Sequence, residues 1–320
     1  MAILPQGNTV FREANEITAF GEQTVAEPTP VVQIDAVYGL LSSETHETFT
    51  NATGTATASG GEFCCSTGTN VAGYSVIRSH RLMRYRPGQG STSRFTARFT
   101  AGVALSTQRA GLFTATNALM FGYNGADFGI LRSNGGALEI RELTIDTAAS
   151  GAETFTITLN SVAYSVDLTS GTAAHNAFEI ATDADFGSGK AWLAHQNGDT
   201  IIFTSTSAGA KAGTYSVSTS SGGTAAGTFV TVQTGVANTL TWTTQTDWNA
   251  DTATWLDPTK GNVYQIKFQW LGYGAISFYI EDPVTGRFQL VHTIKYANAN
   301  TEPHTRNPSF KVGWLVTNGS

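Results

Sequence analysis

The feature that most constrains the fold is a run of alternating apolar and polar residues in residues 257–298. Within residues 264–270 every second residue is apolar or aromatic, which is the pattern of a strand with one buried face. A second alternating run spans residues 276–281, and a Pro- and Gly-containing turn at residues 282–286 leads into a third. Three consecutive antiparallel strands with one apolar face require a second sheet to cover that face. The core positions predicted for this layer are Tyr264, Ile266, Phe268, Trp270, Ile276, Phe278, Ile280, Phe288, Leu290 and His292, and the outward ones are Gln265, Lys267 and Gln269.

The composition favours the same fold class and excludes several kinds of partner. Charged residues make up 13% of the chain, and Thr, Ser and Gly replace them, which favours short strands joined by turns. The net charge of −6 lacks the basic footprint of nucleic-acid binding. No stretch approaches the roughly 18 apolar residues of a membrane span. Residues 1–8 show no secretory signal, so we expect synthesis in the cytoplasm.

Residues 1–30 differ from the rest of the chain. They contain three prolines and isolated apolar residues, without a sustained period. Such a segment cannot bury its own apolar side chains, so it is either disordered or an extended arm that docks on a partner. We favour the docking arm, with Phe11, Ile17 and Phe20 as its interface candidates.

The remaining chain falls into two blocks. A β pattern runs through residues 31–145 and resumes in residues 242–320, whereas residues 146–241 contain one helix candidate and several short strands. Thr172 is the predicted N-cap of that helix, whose apolar face is Ala174, Ala177, Phe178 and Ala181. We therefore predict a mainly β protein, a lectin-like jelly-roll β-sandwich formed by residues 31–145 plus 242–320, with a small α+β module inserted at residues 146–241.

No catalytic, cofactor or metal site is predicted. The nearest match to a glucanase carboxylate motif is Glu139 and Glu142, which are three residues apart and therefore project to opposite faces of a strand. Residues 187–190 (GSGK) lack the flanking residues of a phosphate loop. The histidines are scattered, and Cys64 and Cys65 are adjacent, so neither set has metal-ligand spacing. The two cysteines are either free thiols, one of them buried, or a strained vicinal disulfide.

Arginine is concentrated in one part of the chain. Seven of the twelve arginines fall in residues 78–109. Arg84 and Arg86 are expected to share one strand face, and Arg94 and Arg98 another. Three interpretations stay open: a solvated sheet face, an interface stripe that pairs carboxylates, or a binding site for an anionic sugar or nucleic acid.

Several runs resemble a module of structural proteins from tailed phages and large viruses. They are residues 73–100 (GYSVIRSHRLMRYRPGQGSTSRFTARFT), 121–132 (FGYNGADFGILR) and 257–288 (DPTKGNVYQIKFQWLGYGAISFYIEDPVTGRF). Residues 156–181 and 198–218 are similar to a small domain of phage tail and adhesin proteins. The resemblance implies a non-enzymatic virion component, such as a fibre, appendage or baseplate protein. It implies a homo-oligomer, a trimer by analogy, with other virion structural proteins as partners and a host-contacting surface. It transfers no functional residue.

A carbohydrate-binding, lectin-like module is the alternative from another class. Jelly-roll sandwiches bind sugars through exposed aromatic side chains on loops. The sugar-contact candidates in this chain are Trp242, Trp248, Trp255 and Tyr273. A host-surface glycan would then be the ligand.

Overall fold

The computed structural model describes residues 29–41 and 44–319 and is mainly β, with 49% of residues in strands and 4% in helix. This confirms the predicted fold class at the level of a mainly β chain. In chain order the described strands are β1 (His46–Asn51), β2 (Thr55–Ser59), β3 (Glu62–Ser66), β4 (Tyr74–Ser79), β5 (Ser91–Ala97), β6 (Ser106–Phe113), β7 (Ala118–Asn124), β8 (Asp127–Asn134), β9 (Leu138–Thr147), β10 (Glu153–Leu159), β11 (Val162–Leu168), β12 (Trp192–Asn197), β13 (Thr200–Ala208), β14 (Ser216–Thr219), β15 (Ala226–Gln233), β16 (Thr239–Thr244), β17 (Asn262–Phe268), β18 (Ile276–Glu281), β19 (Phe288–Ile294) and β20 (Lys311–Asn318). The described helices are α1 (Ala173–Ala181) and a 3-10 turn at Gln245–Asp247.

The described chain divides into two compact units. Unit 1 combines the residues up to Asn134 with those from Leu240 onward, and unit 2 is Gly135–Thr239. The sequence predicted the boundary between the sandwich and the inserted module after Ile145, so that β9 would belong to unit 1. Instead, β9 lies between β13 and β15 of unit 2. The alternating pattern of β9 fits either unit, and only its partners far along the chain decide its place.

Unit 1 contains two large sheets with a shared core, besides the two-stranded β2–β3 sheet. The first has the strand order β1-β4-β20-β6-β7-β8-β16, and the second has the order β19-β18-β17-β5. Residues of both sheets, among them Phe121 from the first and Phe278 from the second, form one buried apolar cluster. Their rings meet edge to face with centroids 5.4 Å apart, a geometry that adds to the gain from burial. The arrangement is consistent with the predicted β-sandwich.

The predicted meander of residues 257–298 forms three consecutive strands of the second sheet. β17 pairs with β18, and β18 with β19, all antiparallel. Tyr264, Ile266 and Phe268 are buried on the core side, as their alternation predicts. The turn at residues 282–286 is also confirmed, because the Gly286 amide donates to the Asp282 carbonyl and Gly286 has a φ of 65°.

The third strand of the meander departs from the predicted pattern. A bulge in the pairing of β18 with β19 skips Val291, so His292 faces Phe278 while Leu290 faces Tyr279. Val291 and His292 are therefore buried. Leu290 and Phe288 lie on the outer side, and the prediction that they belong to the core is wrong.

Unit 2 has its own core between two smaller sheets, β11-β10-β14 and β12-β13-β9-β15. Helix α1 begins where predicted, since the Thr172 hydroxyl accepts a hydrogen bond from the His175 amide at 3.2 Å. Its buried face is different from the predicted one: Asn176, Ala177 and Ile180 are buried, and Phe178 is exposed. Asn176 lies inside because its side chain bonds the backbone of two neighbouring segments, which a pattern of apolar residues cannot reveal.

The cysteine pair lies in the β2–β3 hairpin. Both cysteines are free, with Cys64 exposed and Cys65 half-buried. Burial raises the pKa of the Cys65 thiol to about 11. Of the two alternatives open from the sequence, the structure shows the free thiols. Cys65 is thereby kept in the protonated, unreactive form at neutral pH.

Candidate interaction surfaces

The four arginines proposed as an interface stripe do not form one surface. Arg84 and Arg86 are exposed, but they lie in the connection between β4 and β5 and share no strand face. The prediction for this pair is wrong because the chain leaves the sheet after Ser79. Arg94 lies on β5, and Arg98 follows the end of that strand. Both are exposed on the side of the sheet that faces away from the core.

Arg94 is part of a mixed cationic and aromatic surface. Its Nε donates to Oε1 of Gln265 at 2.7 Å, and its guanidinium carbon lies 5.3 Å from the centre of the Phe288 ring. Arg94 therefore extends across β17 toward β19 and helps to cover Gln265, which is 0% exposed. We call this surface of the second sheet the outer cationic face; it comprises Arg94, Gln265, Lys267, Tyr279, Phe288 and Leu290.

Lys267 carries the second positive charge of the outer cationic face. Its Nζ lies 5.4 Å from the centre of the Tyr279 ring, and Lys267 itself is buried. Burial lowers the pKa of Lys267, and the charge of Arg94 lowers it further. Two cations near one another on a partly desolvated face attract carboxylates.

Two arginines outside the proposed stripe, Arg78 and Arg109, lie on the side of the seven-stranded sheet that faces away from the core. The Arg78 guanidinium carbon is 4.8 Å from the centre of the Phe49 ring and 5.9 Å from that of Phe113. Its Nε also bonds Glu47 at 2.9 Å, and Lys311 bonds the same carboxylate. Burial alone would raise the pKa of Glu47, but these two cations hold the pKa below its usual value.

Arg109 lies on the same side, near an indole. Its guanidinium carbon is 5.8 Å from the centre of the Trp242 ring, and burial lowers the pKa of Arg109. The indole in turn lies over Gly129, where an added Cβ would come within 3.0 Å of the ring and 2.3 Å of the Thr243 carbonyl oxygen. A glycine is needed there to admit the indole. We call this surface of the seven-stranded sheet the arginine–aromatic face; it comprises Phe49, Arg78, Arg109, Phe113 and Trp242.

The four sugar-contact candidates are dispersed. Trp248 is 5% exposed and packs edge to face against Phe121 and Phe128, so its prediction as a sugar contact is wrong. Trp242 is half-buried on the arginine–aromatic face. Trp255 and Tyr273 are exposed, but one precedes β17 and the other follows it. β17 between them is a strand of about 20 Å.

The other candidate residues fall into two groups. Phe11, Ile17 and Phe20 lie outside the described residues. Glu139 is buried against Arg141 at 2.6 Å, whereas Glu142 belongs to the opposite side of β9, so the two carboxylates do not converge. Burial of Glu139 opposes its ionisation, but backbone amides and Arg141 outweigh that effect and lower its pKa.

The described residues contain neither a metal-binding cluster nor a membrane-spanning helix. Within residues 29–41 and 44–319, no three His, Cys, Asp or Glu side chains are placed to hold a metal ion. In the same part of the chain, no helix is long and apolar enough to cross a bilayer. No protein-family model, no curated protein and no solved structure matches this chain.

Proposed function

We propose that this chain is a non-enzymatic structural protein of a virion, a phage fibre, appendage or baseplate component built on a lectin-like jelly-roll sandwich. Its work is mechanical: it holds a position on the particle by contact with copies of itself and with other virion proteins, and it presents a surface to the host. The resemblance of its sequence runs to phage and large-virus proteins supports this class.

The observation that carries the proposal is the arginine–aromatic face. Protein interfaces are enriched in Trp, Phe, Tyr and Arg, and the residues that dominate binding energy are drawn from the same set. Here Arg78 lies between two phenylalanine rings, and Arg109 lies near an indole. Phe49 at the edge of this face is 43% exposed. Phe113 is already buried on this face, beside Val76 and Met120, so Phe49 is the aromatic side chain that a second protein would cover.

Two further elements complete the proposal. The N-terminal residues 1–30 act as an arm that attaches the subunit to its neighbours, with Phe11, Ile17 and Phe20 as anchors. The subunits form a closed homo-oligomer, for which a trimer is the expected state in fibre-like proteins. The chain is made in the host cytoplasm and functions in the virion.

The test combines subunit mass with incorporation into particles. Wild-type protein in light scattering should show a multiple of the 33.8 kDa chain mass. Phe49→Asp introduces a charge into the proposed contact and should reduce both the mass and the incorporation. Val284→Asp is the matched control, because Val284 is exposed in the turn at residues 282–286, outside this face. A monomeric wild type, or a Phe49→Asp variant with normal mass and incorporation, would contradict the proposal.

The carbohydrate-binding alternative depends on two exposed aromatic residues. Trp255 and Tyr273 are each more than one third exposed, although they lie at opposite ends of β17. A glycan array tests it directly: a specific glycan signal that is lost on Trp255→Ala or Tyr273→Ala would favour the lectin-like function. Absence of a specific glycan signal for the wild type would reject it, and equal signals for wild type and both variants would reject Trp255 and Tyr273 as the contacts.

A further inference from the structure

The outer cationic face has the chemistry of a docking surface for an acidic and partly apolar segment. It combines the guanidinium of Arg94 with Lys267, and it places Phe288, Leu290 and Tyr279 next to them. Phe288 and Leu290 are on this face because of the bulge at Val291, which turns two large apolar side chains away from the core. Gln265 lies at its centre, and its Nε2 is buried without a hydrogen-bond partner. A buried amide N–H without a partner is costly, and it donates readily to a carbonyl or carboxylate oxygen.

The course of the chain brings its N-terminal part to this sheet. Ala36 forms a bridge with Gly61 at the turn of the β2–β3 hairpin. The next residue of that hairpin, Glu62, bonds Arg98 at the end of β5 at 3.1 Å. Residues 29–36 therefore end near β5, the edge strand of the outer cationic face. The four strands of that face span only about 15 Å from β5 to β19, whereas 28 extended residues reach roughly 90 Å.

Residues 1–28 have a composition that matches this face. They contain four glutamates and one arginine, and they contain no aspartate or lysine. Three of their larger apolar side chains are Phe11, Ile17 and Phe20, interspersed among the glutamates. The carboxylates complement Arg94 and Lys267, and the aromatic and aliphatic side chains complement Phe288 and Leu290.

We infer that residues 1–28 dock on the outer cationic face of their own chain. This inference rests on the proposed function in one respect, since both treat the segment as a docking arm. It concerns the free subunit, in which the arm occupies the face of its own chain; contact with neighbours belongs to the assembled particle. Docking within one chain is favoured because the segment is tethered beside its site, so its effective concentration is in the millimolar range. Glutamates of the segment pair with Arg94, and Phe11 or Phe20 packs against Phe288.

The experiment uses the full-length chain with a photo-crosslinking side chain on the face. Phe288→benzoylphenylalanine is irradiated at low protein concentration, and the crosslinked peptides are identified by mass spectrometry from the monomer band of a denaturing gel. We expect crosslinks to residues 1–28 in that band. Phe49→benzoylphenylalanine is the matched control, because Phe49 is an exposed aromatic residue on the other sheet; it should give no crosslinks to residues 1–28.

A second variant tests the charge complementarity without altering the sheet. Replacing all four glutamates (Glu13→Lys, Glu16→Lys, Glu22→Lys and Glu27→Lys) should lower the crosslink yield from position 288 by about tenfold, since like charges then face one another. The inference is overturned by no crosslink at position 288, by an equal yield from position 49, or by an unchanged yield after charge reversal. It is also overturned by crosslinks confined to the dimer band, which would show a second copy as the donor. Incorporation into particles is measured separately, so a failure of the virion proposal can be distinguished from a failure of this docking inference.

Discussion

Acidification should destabilise unit 1 through one buried histidine. His304 is 0% exposed, and its backbone carbonyl accepts a hydrogen bond from Nη1 of Arg132 at 2.9 Å. Its ring lies edge to face against Tyr296, with centroids 5.8 Å apart. Burial lowers the pKa of His304 to about 4, and the positive charge of Arg132 contributes to the same shift. The folded protein therefore holds this imidazole neutral.

The size of the effect follows from the difference between the two pKa values. The unfolded chain binds a proton near its ordinary value of 6.5, whereas the folded chain does so only near 4. Between these values the unfolded state binds more protons, so the free energy of unfolding falls as the pH falls through this window. The loss is about 2 kcal/mol between pH 7.5 and pH 5 and approaches about 3 kcal/mol below pH 4. His292, whose pKa is lowered by burial as well, adds to the loss in the same direction.

Urea unfolding at pH 7.5, 6 and 5 measures this loss. This range lies above the titration of the carboxylates whose pKa is lowered in the fold, so the histidines dominate it. His304→Gln should cost stability at pH 7.5 through altered packing and remove about 2 kcal/mol of the pH dependence. His195→Gln, at an exposed position of β12, should leave the dependence unchanged. A His304→Gln variant with the wild-type pH dependence would refute the argument.

Three further predictions concern the fold. Phe278→Ala should lower the free energy of unfolding by about 3–5 kcal/mol, as expected for an emptied buried aromatic site, whereas Gln289→Ala at an exposed position should change it by less than about 0.5 kcal/mol. Equal losses in thermal melts would contradict the strand register. Gly129→Ala should cost about 1–3 kcal/mol because the new Cβ meets a carbonyl oxygen and the Trp242 indole, whereas Gly151→Ala meets no atom within 4 Å and should be neutral. Replacing unit 2 with a short Gly/Ser linker should leave unit 1 with one cooperative unfolding transition, and its aggregation would show that the units share a core.

Strand alternation predicted the meander well, but it failed where long-range pairing intervened. The buried positions on β17 and β18 follow from sequence alone because a period of two assigns each side chain to a face. The bulge at Val291 depends on how β19 pairs with β18, so the positions of Phe288 and Leu290 were missed. Gln265 and Lys267 were correctly placed on the outer side, but their burial under longer neighbours was not foreseen.

The candidate surfaces were harder to predict because each combines residues distant in sequence. The arginine–aromatic face combines Arg109 with Trp242, and the outer cationic face combines Arg94 with Phe288. Clustering of arginines in residues 78–109 did not indicate which of them lie beside aromatic rings: Arg78, Arg94 and Arg109 do. Arg84 and Arg86 lie outside the strands. Gly129 lies inside β8, directly before Ile130 and Leu131. A glycine within a strand is the local signal that another part of the chain passes close to the backbone there.

The proposed virion role requires this chain to be present in assembled particles. Quantitative mass spectrometry of particles purified by density gradient from cells that express this gene measures whether it is. The account predicts the wild-type chain in a fixed ratio to the major particle proteins, retention of Val284→Asp, and loss of Phe49→Asp from the particle fraction. Absence of the wild-type chain from particles, with all of it in the soluble fraction, would contradict the account.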